Sequence, residues 1–140
     1  MAVFCGPEVS PWITREDVKA NPDCFFVFGD NVQRLGLGGQ AASMRGEPNS
    51  IGVVTKWKPS NEPAAFFYDS EYAQVTALIE EDLKKVEKAL KRSFVVLPKD
   101  GLGTGLSRLP ELAPRVNMYL EMRLTEMGWK KGVKGVWTTA

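Results

Sequence analysis

The sequence predicts an α/β fold with a mostly parallel central sheet. Short apolar runs that suit buried strands alternate along the chain with segments of helical periodicity. Two glycine-rich loops also follow directly after apolar runs, as loops do at the carboxyl ends of parallel strands. At 140 residues, the chain is expected to form one domain over residues 1–140.

The first predicted elements are a short strand and a short helix. Ala2–Cys5 is apolar and is predicted to be the strand. The helix is expected to begin at Thr14, whose hydroxyl caps it, with Asp17 completing a capping box. The segment Asn21–Asp23 ends this helix because its proline cannot continue one.

Two predicted strands enclose the first glycine-rich segment. Cys24–Phe28 is apolar at every position, which is typical of a strand covered on both faces. Gly29–Asn31 is predicted to break this strand, and Gly36–Gln40 carries the glycines. A short helix is expected over Gly39–Arg45, and the next buried strand spans Ile51–Val54.

A loop with aromatic residues in or beside it is predicted over Lys56–Asp69. The aromatic side chains either cap a ligand or anchor the loop to the core, and the sequence leaves both explanations open. They are Trp57, Phe66, Phe67 and Tyr68.

The second half begins with a long helix. Ser70 is expected to cap a helix over Glu71–Arg92, in which apolar residues recur at three- and four-residue steps. Ser93–Leu97 is a third buried strand, and the second glycine loop, Pro98–Leu106, follows it. The last predicted elements are a helix over Pro114–Met127 and a strand over Gly132–Thr139.

Charge and composition narrow the function. With 18 basic and 17 acidic residues, the net charge is +1, so no general attraction to nucleic acid or membranes is expected. The chain has no histidine, which excludes histidine-based triads and most zinc sites; no metal and no cofactor are expected. No transmembrane span or secretory signal is apparent, and two cysteines are too few for a disulfide framework, so a cytoplasmic protein is expected.

Neither glycine loop matches a standard nucleotide motif. Gly36-x-Gly38-Gly39 lacks the GxGxxG spacing, and the segment Gly101–Gly105 is not followed by the Lys-Ser/Thr of a P-loop. Glycine still lets backbone N–H groups approach a phosphate closely. Since both loops are predicted on one edge of the sheet, they indicate a phosphate-bearing ligand. The alternative for each glycine is a tight turn.

Three segments in matching order resemble the macrodomain superfamily, and most of all its terminal ADP-ribose protein glycohydrolase class. The segments are Leu35–Ala41, Val53–Lys56 and Pro98–Leu109. The similarity covers residues 24 to 127, and Gly29–Lys56 is also similar to short, largely uncharacterised bacterial and phage proteins. The resemblance implies a three-layer α/β/α fold, a monomer and an ADP-ribose-type ligand.

The resemblance also implies a catalytic role for Lys56, at the position of the lysine that attacks the distal ribose in that class. The assisting aspartate falls on Ser107, which has no carboxylate. Asp100, in a second loop two residues longer than that of the class, is the candidate replacement, and Asp30 is an alternative. A partly desolvated lysine can act as a nucleophile. Otherwise Lys56 pairs with phosphate or is simply exposed at a strand end.

The remaining candidates are assigned to ligand binding. Asp30 and Asn31 suit the polar groups of adenine or ribose, or else form a turn. Gln40 orients a ribose or a water, or simply lies on the short helix. The full set is Gly29, Asp30, Asn31, Gly36, Gly38, Gly39, Gln40, Thr55, Gly101, Gly103, Thr104, Gly105 and Leu106.

The sequence therefore predicts a protein that binds ADP-ribose or a related nucleotide and hydrolyses an ADP-ribosyl linkage. The alternative is a non-catalytic module that recognises or sequesters such a signal. Ser107 favours the module, whereas Lys56 favours the enzyme. A binder of single-stranded nucleic acid is disfavoured by the near-neutral charge, so nucleic acid is expected only as a modified substrate. No membrane partner is expected.

Overall fold

The structure, a computed structural model, describes residues 5–139 and contains a four-stranded sheet in which every strand pair is parallel. The strand order is β1-β4-β2-β3. These strands are β1 (Gly6–Ser10), β2 (Phe25–Asn31), β3 (Ser50–Lys56) and β4 (Phe94–Pro98). The α/β class and the mostly parallel sheet that the sequence predicts are confirmed.

Five α-helices among the described residues connect or follow these strands. They are α1 (Arg15–Ala20), α2 (Ala41–Met44), α3 (Tyr72–Leu90), α4 (Leu109–Leu112) and α5 (Pro114–Glu126). Near the C-terminus, β5 (Lys130–Lys131) and β6 (Trp137–Thr138) form a small antiparallel ribbon. No helix within residues 5–139 is both long and apolar enough to cross a membrane.

The helices cover both faces of the sheet. Val27 of β2 packs in a core cluster with residues of α3 and α5. Phe26 and Phe28, its neighbours on the same strand, pack with Val18 of α1 and Met44 of α2. Because successive strand residues point to opposite faces, a strand covered on both sides is apolar throughout. This arrangement leaves the carboxyl edge of the sheet to the connecting loops.

The first strand differs from the prediction. Ala2–Phe4, most of the predicted strand, lies outside the described residues, and the strand that pairs with β4 is Gly6–Ser10. Its sequence contains glycine, proline and serine and has no apolar run. It lies at the edge of the sheet, where a proline is tolerated, so hydrophobic patterning does not reveal it.

Strand β2 is longer than predicted. Gly29–Asn31 does not break the strand but forms its last residues, paired with Val53, Val54 and Lys56 of β3. A shift of register between Asp30 and Asn31 marks an irregularity there. The polar pair therefore lies at the carboxyl end of an interior strand.

Two further predictions near helix and chain ends are wrong. Ser70 does not cap the long helix, because it lies inside a 3-10 turn over Asp69–Glu71 and Glu71 occupies the N-cap position. The predicted strand over Gly132–Thr139 is instead a 3-10 turn, Val133–Gly135, followed by β6. Val133 is 89% exposed and supplies no core contact that would hold a longer strand.

The capping box at α1 is confirmed. Thr14 Oγ1 accepts from the N–H of Asp17, and the Asp17 carboxylate accepts from the N–H of Thr14.

The aromatic loop is anchored to the core, because Phe66 and Phe67 are buried and Trp57 contacts Phe67 edge-on, with ring centroids 5.2 Å apart. This favours the anchoring explanation for those aromatic residues.

Candidate functional site

Two glycine-rich loops meet at the carboxyl edge of the sheet. The first glycine loop (residues 32–40) follows β2, and the second glycine loop (residues 99–108) follows its neighbour β4. Leu106 packs on the backbone of Gly38, with its Cδ1 only 2.7 Å from the place a Cβ on Gly38 would take. This contact divides the depression between the loops into two adjoining clefts.

The larger cleft has a volume of about 530 Å³. Lysines 99, 131 and 134 line it, together with Trp12 and a single carboxylate-bearing residue, Asp100. Lys131 pairs with Glu121, whereas Lys99 and Lys134 form no ion pair within residues 5–139. Sequence-predicted site residues in this cleft are Gly29, Gly38, Gly39, Gln40, Asp100, Gly101, Gly103, Thr104, Gly105 and Leu106.

The smaller cleft has a volume of about 270 Å³. Lys56, Asn31 and Arg45 contribute its polar side chains together with Asp30, Ser60, Asn61 and Ser107. Sequence-predicted site residues here are Gly29, Asp30, Asn31, Gly36, Gly38, Lys56 and Leu106. Gly29, Gly38, Leu106 and Ser107 line both clefts, so the two spaces adjoin along the Gly38–Leu106 contact.

Most backbone N–H groups of the two loops are left free. Within the described part of the chain, those of residues 102–107 and of residues 35–40 donate to no acceptor. In the first loop, Arg45 and Asn31 hold the carbonyls instead: Arg45 Nε donates to Gly36 O at 2.7 Å, and Asn31 Nδ2 donates to Leu35 O at 2.7 Å. Successive free N–H groups in a glycine-rich turn form a concave site for anions.

Asp30 is engaged with the protein. Its Oδ1 accepts from Arg45 Nη2 at 2.5 Å and from the N–H of Asn31 at 2.8 Å, and its Oδ2 lies 3.3 Å from Arg34 Nη1. Arg34 also pairs with the buried carboxylate of Asp82 at 2.6 Å. In this structure Asp30 therefore anchors the arginine that holds the first glycine loop.

Sequence reasoning missed Arg34 and Asp82 as parts of this network. Asp82 carried a signal, because it falls in the apolar stripe of α3, three residues after Ile79 and four before Val86. A carboxylate at a buried helix position needs a partner. The partner itself is not visible in the sequence.

Asn31 has a buried oxygen without a partner. Its Nδ2 is used by Leu35 O, while Oδ1 accepts no hydrogen bond from residues 5–139. Buried polar atoms are nearly always hydrogen-bonded, so this oxygen is an unsatisfied acceptor in a residue that lines the smaller cleft.

Lys56 is buried in the wall of the smaller cleft. It is 7% exposed, its Nζ lies 4.7 Å from the ring centroid of Phe66, and it has no carboxylate partner among the described residues. Burial lowers the pKa of Lys56 below the ordinary value of 10.5. The amine therefore loses its proton more readily than an exposed lysine.

The two predicted catalytic residues line different clefts. Lys56 lines the smaller one and Asp100 the larger one. Ser107 lines both, but its Oγ lies 2.6 Å from Thr55 Oγ1, a hydroxyl that is fully buried. Thr55, although predicted to bind ligand, lines neither cleft.

Sequence reasoning left the role of Gln40 open and did not identify Trp12 as a residue beside the cleft. The Gln40 amide is occupied by the backbone of Ile13, from whose N–H it accepts at 2.9 Å and to whose carbonyl it donates at 2.8 Å. Trp12, the residue before it, is 63% exposed at the larger cleft. The sequence shows only a tryptophan after a proline, with no signal that it borders a site.

No three Cys, Asp or Glu side chains within residues 5–139 are grouped so that they could hold a metal ion.

The sequence model of a family described only as a family of unknown function, DUF7831, matches residues 8–123. That span runs from β1 into α5 and includes both glycine loops. No curated protein matches the chain, and no solved structure matches it.

Proposed function

The chain belongs to the family of unknown function DUF7831, and we propose from its site that it binds a diphosphate-bearing nucleotide of the ADP-ribose type. One observation carries this proposal: two strings of free backbone N–H groups border one depression at the carboxyl edge of a parallel sheet. A diphosphate offers several charged oxygens within a few ångströms, which suits two such strings. Lys99 and Lys134 add positive charge at the same cleft.

The smaller cleft suits a sugar. Asn31 Oδ1 is a buried acceptor without a partner, and it would accept from a sugar hydroxyl after a shift of its side chain. With the diphosphate at the loops, a second ribose would lie in this cleft and the nucleoside in the larger one. The similarity of three sequence segments to macrodomains supports an ADP-ribose-type ligand among the diphosphates that share this chemistry.

Calorimetric titration tests binding directly. We expect micromolar affinity for ADP-ribose, weaker affinity for ADP and the weakest for AMP. ADP lacks the distal ribose, and AMP also lacks the second phosphate, so each makes fewer contacts with the proposed site. Absence of binding to all three would contradict the proposal.

A loop variant tests whether the cleft is the site. Gly105 lines the larger cleft, its φ is not positive, and no atom lies within 4 Å of a Cβ placed on it. Gly105→Val therefore fits the fold while narrowing the cleft, and it should weaken ADP-ribose binding at an unchanged melting temperature. Gly103→Ala is a poor probe, since Gly103 has a φ of +78° and a Cβ there would lie 3.0 Å from Leu109. Unchanged affinity in Gly105→Val would place the ligand elsewhere.

We further propose that the protein hydrolyses an ADP-ribosyl linkage, with Lys56 as nucleophile. A buried amine with a lowered pKa and no carboxylate partner favours this role. The neutral Nζ would attack the anomeric carbon of the distal ribose. The leaving group would depart with the bonding electron pair and take up the proton that the attacking amine loses. Water would then displace the lysine from the sugar and restore the free amine.

Turnover of an ADP-ribosylated peptide or oligonucleotide tests the chemistry. Lys56→Ala should abolish product formation while retaining affinity for ADP-ribose. In the wild type, cyanoborohydride should reduce the ring-opened imine form of the ribosyl adduct and so fix the sugar on Lys56. Asp100→Asn tests the carboxylate, which lines the other cleft. Tight binding by the wild type without turnover of any substrate would favour the non-catalytic module instead.

A further inference from the structure

Trp12 is an exposed indole on a rigid support. It is 63% exposed and lines the larger cleft, whereas the next residue, Ile13, is fully buried. Both backbone polar groups of Ile13 are bound by the Gln40 amide, at 2.9 and 2.8 Å. Two residues before Trp12, Ser10 O accepts from the N–H of Lys99 at 2.8 Å. The backbone on each side of Trp12 is therefore fixed while its side chain faces solvent.

The indole borders the predicted phosphate site. The same cleft is lined by Gly103–Ser107, part of the run whose N–H groups are free, and by the unpaired Lys99 and Lys134. An aromatic face next to an anion site matches the two halves of a nucleotide, because bases stack on aromatic side chains while phosphates bind N–H groups and cations.

Few side chains of this cleft are left to read the edge of a base. Lys99 and Lys134 are assigned to the phosphates, and the hydroxyls of Thr104 and Ser107 are bonded to Asp100 O and Thr55 Oγ1. The Gln40 amide is occupied by Ile13, and Asp30 lies in the smaller cleft, paired with Arg45. Among the described lining residues, Asp100 is the one carboxylate of the larger cleft. A carboxylate oxygen accepts from the exocyclic amino group of adenine, guanine or cytosine, so a contact through one oxygen separates none of these three.

We propose that Trp12 is the stacking platform of the larger cleft and that it recognises the presence of a nucleobase but not its identity. This inference deepens the proposed function and rests on it. It assigns the protein to nucleoside-diphosphate ligands in general and makes stacking, not edge contacts, the source of affinity for the base.

The test compares ligands with and without a base. Stacking contributes about 1–3 kcal/mol per base, so Trp12→Ala should weaken the binding of ADP and of ADP-ribose by about fivefold or more. The affinity of the Trp12→Ala variant for inorganic pyrophosphate should equal that of the wild type. Trp12→Phe should retain most of the affinity, and the wild type should bind ADP and GDP with affinities within about threefold. Met118→Ala, which removes an apolar side chain 68% exposed on α5, is the matched control.

The outcomes separate this inference from the proposed function. If Trp12→Ala leaves ADP affinity unchanged, or weakens pyrophosphate equally, Trp12 is not a base platform. A wild type that prefers ADP over GDP by more than about tenfold reads the base edge and overturns base tolerance. Pyrophosphate binding without added affinity for ADP overturns the Trp12 role and leaves the anion site standing. Binding of none of these ligands overturns the anion site and the Trp12 role together.

Discussion

The surroundings of Lys56 disfavour the charged form of its amine. The amine lies over the Phe66 ring, and this cation–π contact replaces only part of the hydration lost on burial. Burial lowers the pKa of Lys56 below 10.5, so the folded protein holds this proton less tightly than the unfolded chain does. The free energy of unfolding must then depend on pH through this one side chain.

We expect Lys56→Met to gain stability over the wild type near neutral pH and to lose that gain as the pH approaches 10.5. Between the lowered pKa and 10.5 the unfolded wild type binds more protons than the folded one, so its free energy of unfolding rises with pH relative to the variant. Urea unfolding of both proteins at pH 7 and pH 10 measures this. Lys91→Met, at the exposed end of α3, controls for the loss of a lysine. An equal difference at both pH values would argue against the lowered pKa.

At the scale of elements, α5 is capped from another part of the chain. No residue next to α5 makes a side-chain cap. Asp69, in the turn before α3, accepts instead from the N–H of Arg115 at 3.0 Å and from that of Val116 at 3.1 Å. One carboxylate thus holds the start of α5 beside the start of α3, and the two helices form one layer over the sheet.

Asp69→Ala should therefore lower the free energy of unfolding by about 1 kcal/mol, the usual cost of losing an N-cap. Asp69→Asn should lose less, because the amide oxygen still accepts. Ser70→Ala, one residue further and without a hydrogen bond to α5, is the control. Urea unfolding measures all three variants, and equal losses in Asp69→Ala and Ser70→Ala would refute the cap.

At the scale of the whole molecule, the β3 edge of the sheet is closed by side chains. Asp82 Oδ2 accepts from the outward N–H of Val54 at 2.9 Å, and Arg34 Nη1 donates to the outward carbonyl of Gly52 at 3.2 Å. The two side chains also pair with each other. An edge whose polar groups are occupied offers no template for a further strand.

Replacing Asp82 with leucine should reopen this edge. It leaves the Val54 N–H without an acceptor and Arg34 without one of its carboxylates, which should cost about 3 kcal/mol of stability. Self-association should rise as well, measured by light scattering alongside urea unfolding. Asp82→Asn, which keeps an acceptor, should lose less. A leucine variant as stable and as dispersed as the wild type would contradict the role of Asp82.

Sequence patterns predict the strands that are covered on both faces, and they predict features whose signal spans only a few residues. β2 and β4 are apolar because helices cover both faces, and the Thr14–Asp17 box acts over three residues. Sequence patterns do not predict β1, because an edge strand needs no apolar run. The contacts of Asp30 and Gln40 and the position of Trp12 are not predictable, because each depends on a segment brought close only by folding. That segment contains Arg45 for Asp30, Ile13 for Gln40 and the second glycine loop for Trp12. Strands of two residues, such as β5 and β6, are too short for any period to register.

The contact of Leu106 with Gly38 bears on the time course of binding. A ligand confined to one cleft does not meet this contact, whereas a ligand that occupies both has to displace the Leu106 side chain from Gly38. We therefore expect ADP-ribose to associate and dissociate more slowly than ADP in stopped-flow experiments. Leu106→Ala should speed both steps for ADP-ribose and leave ADP little changed, because only the longer ligand crosses the divide. Residence time, more than affinity, would then distinguish the two ligands.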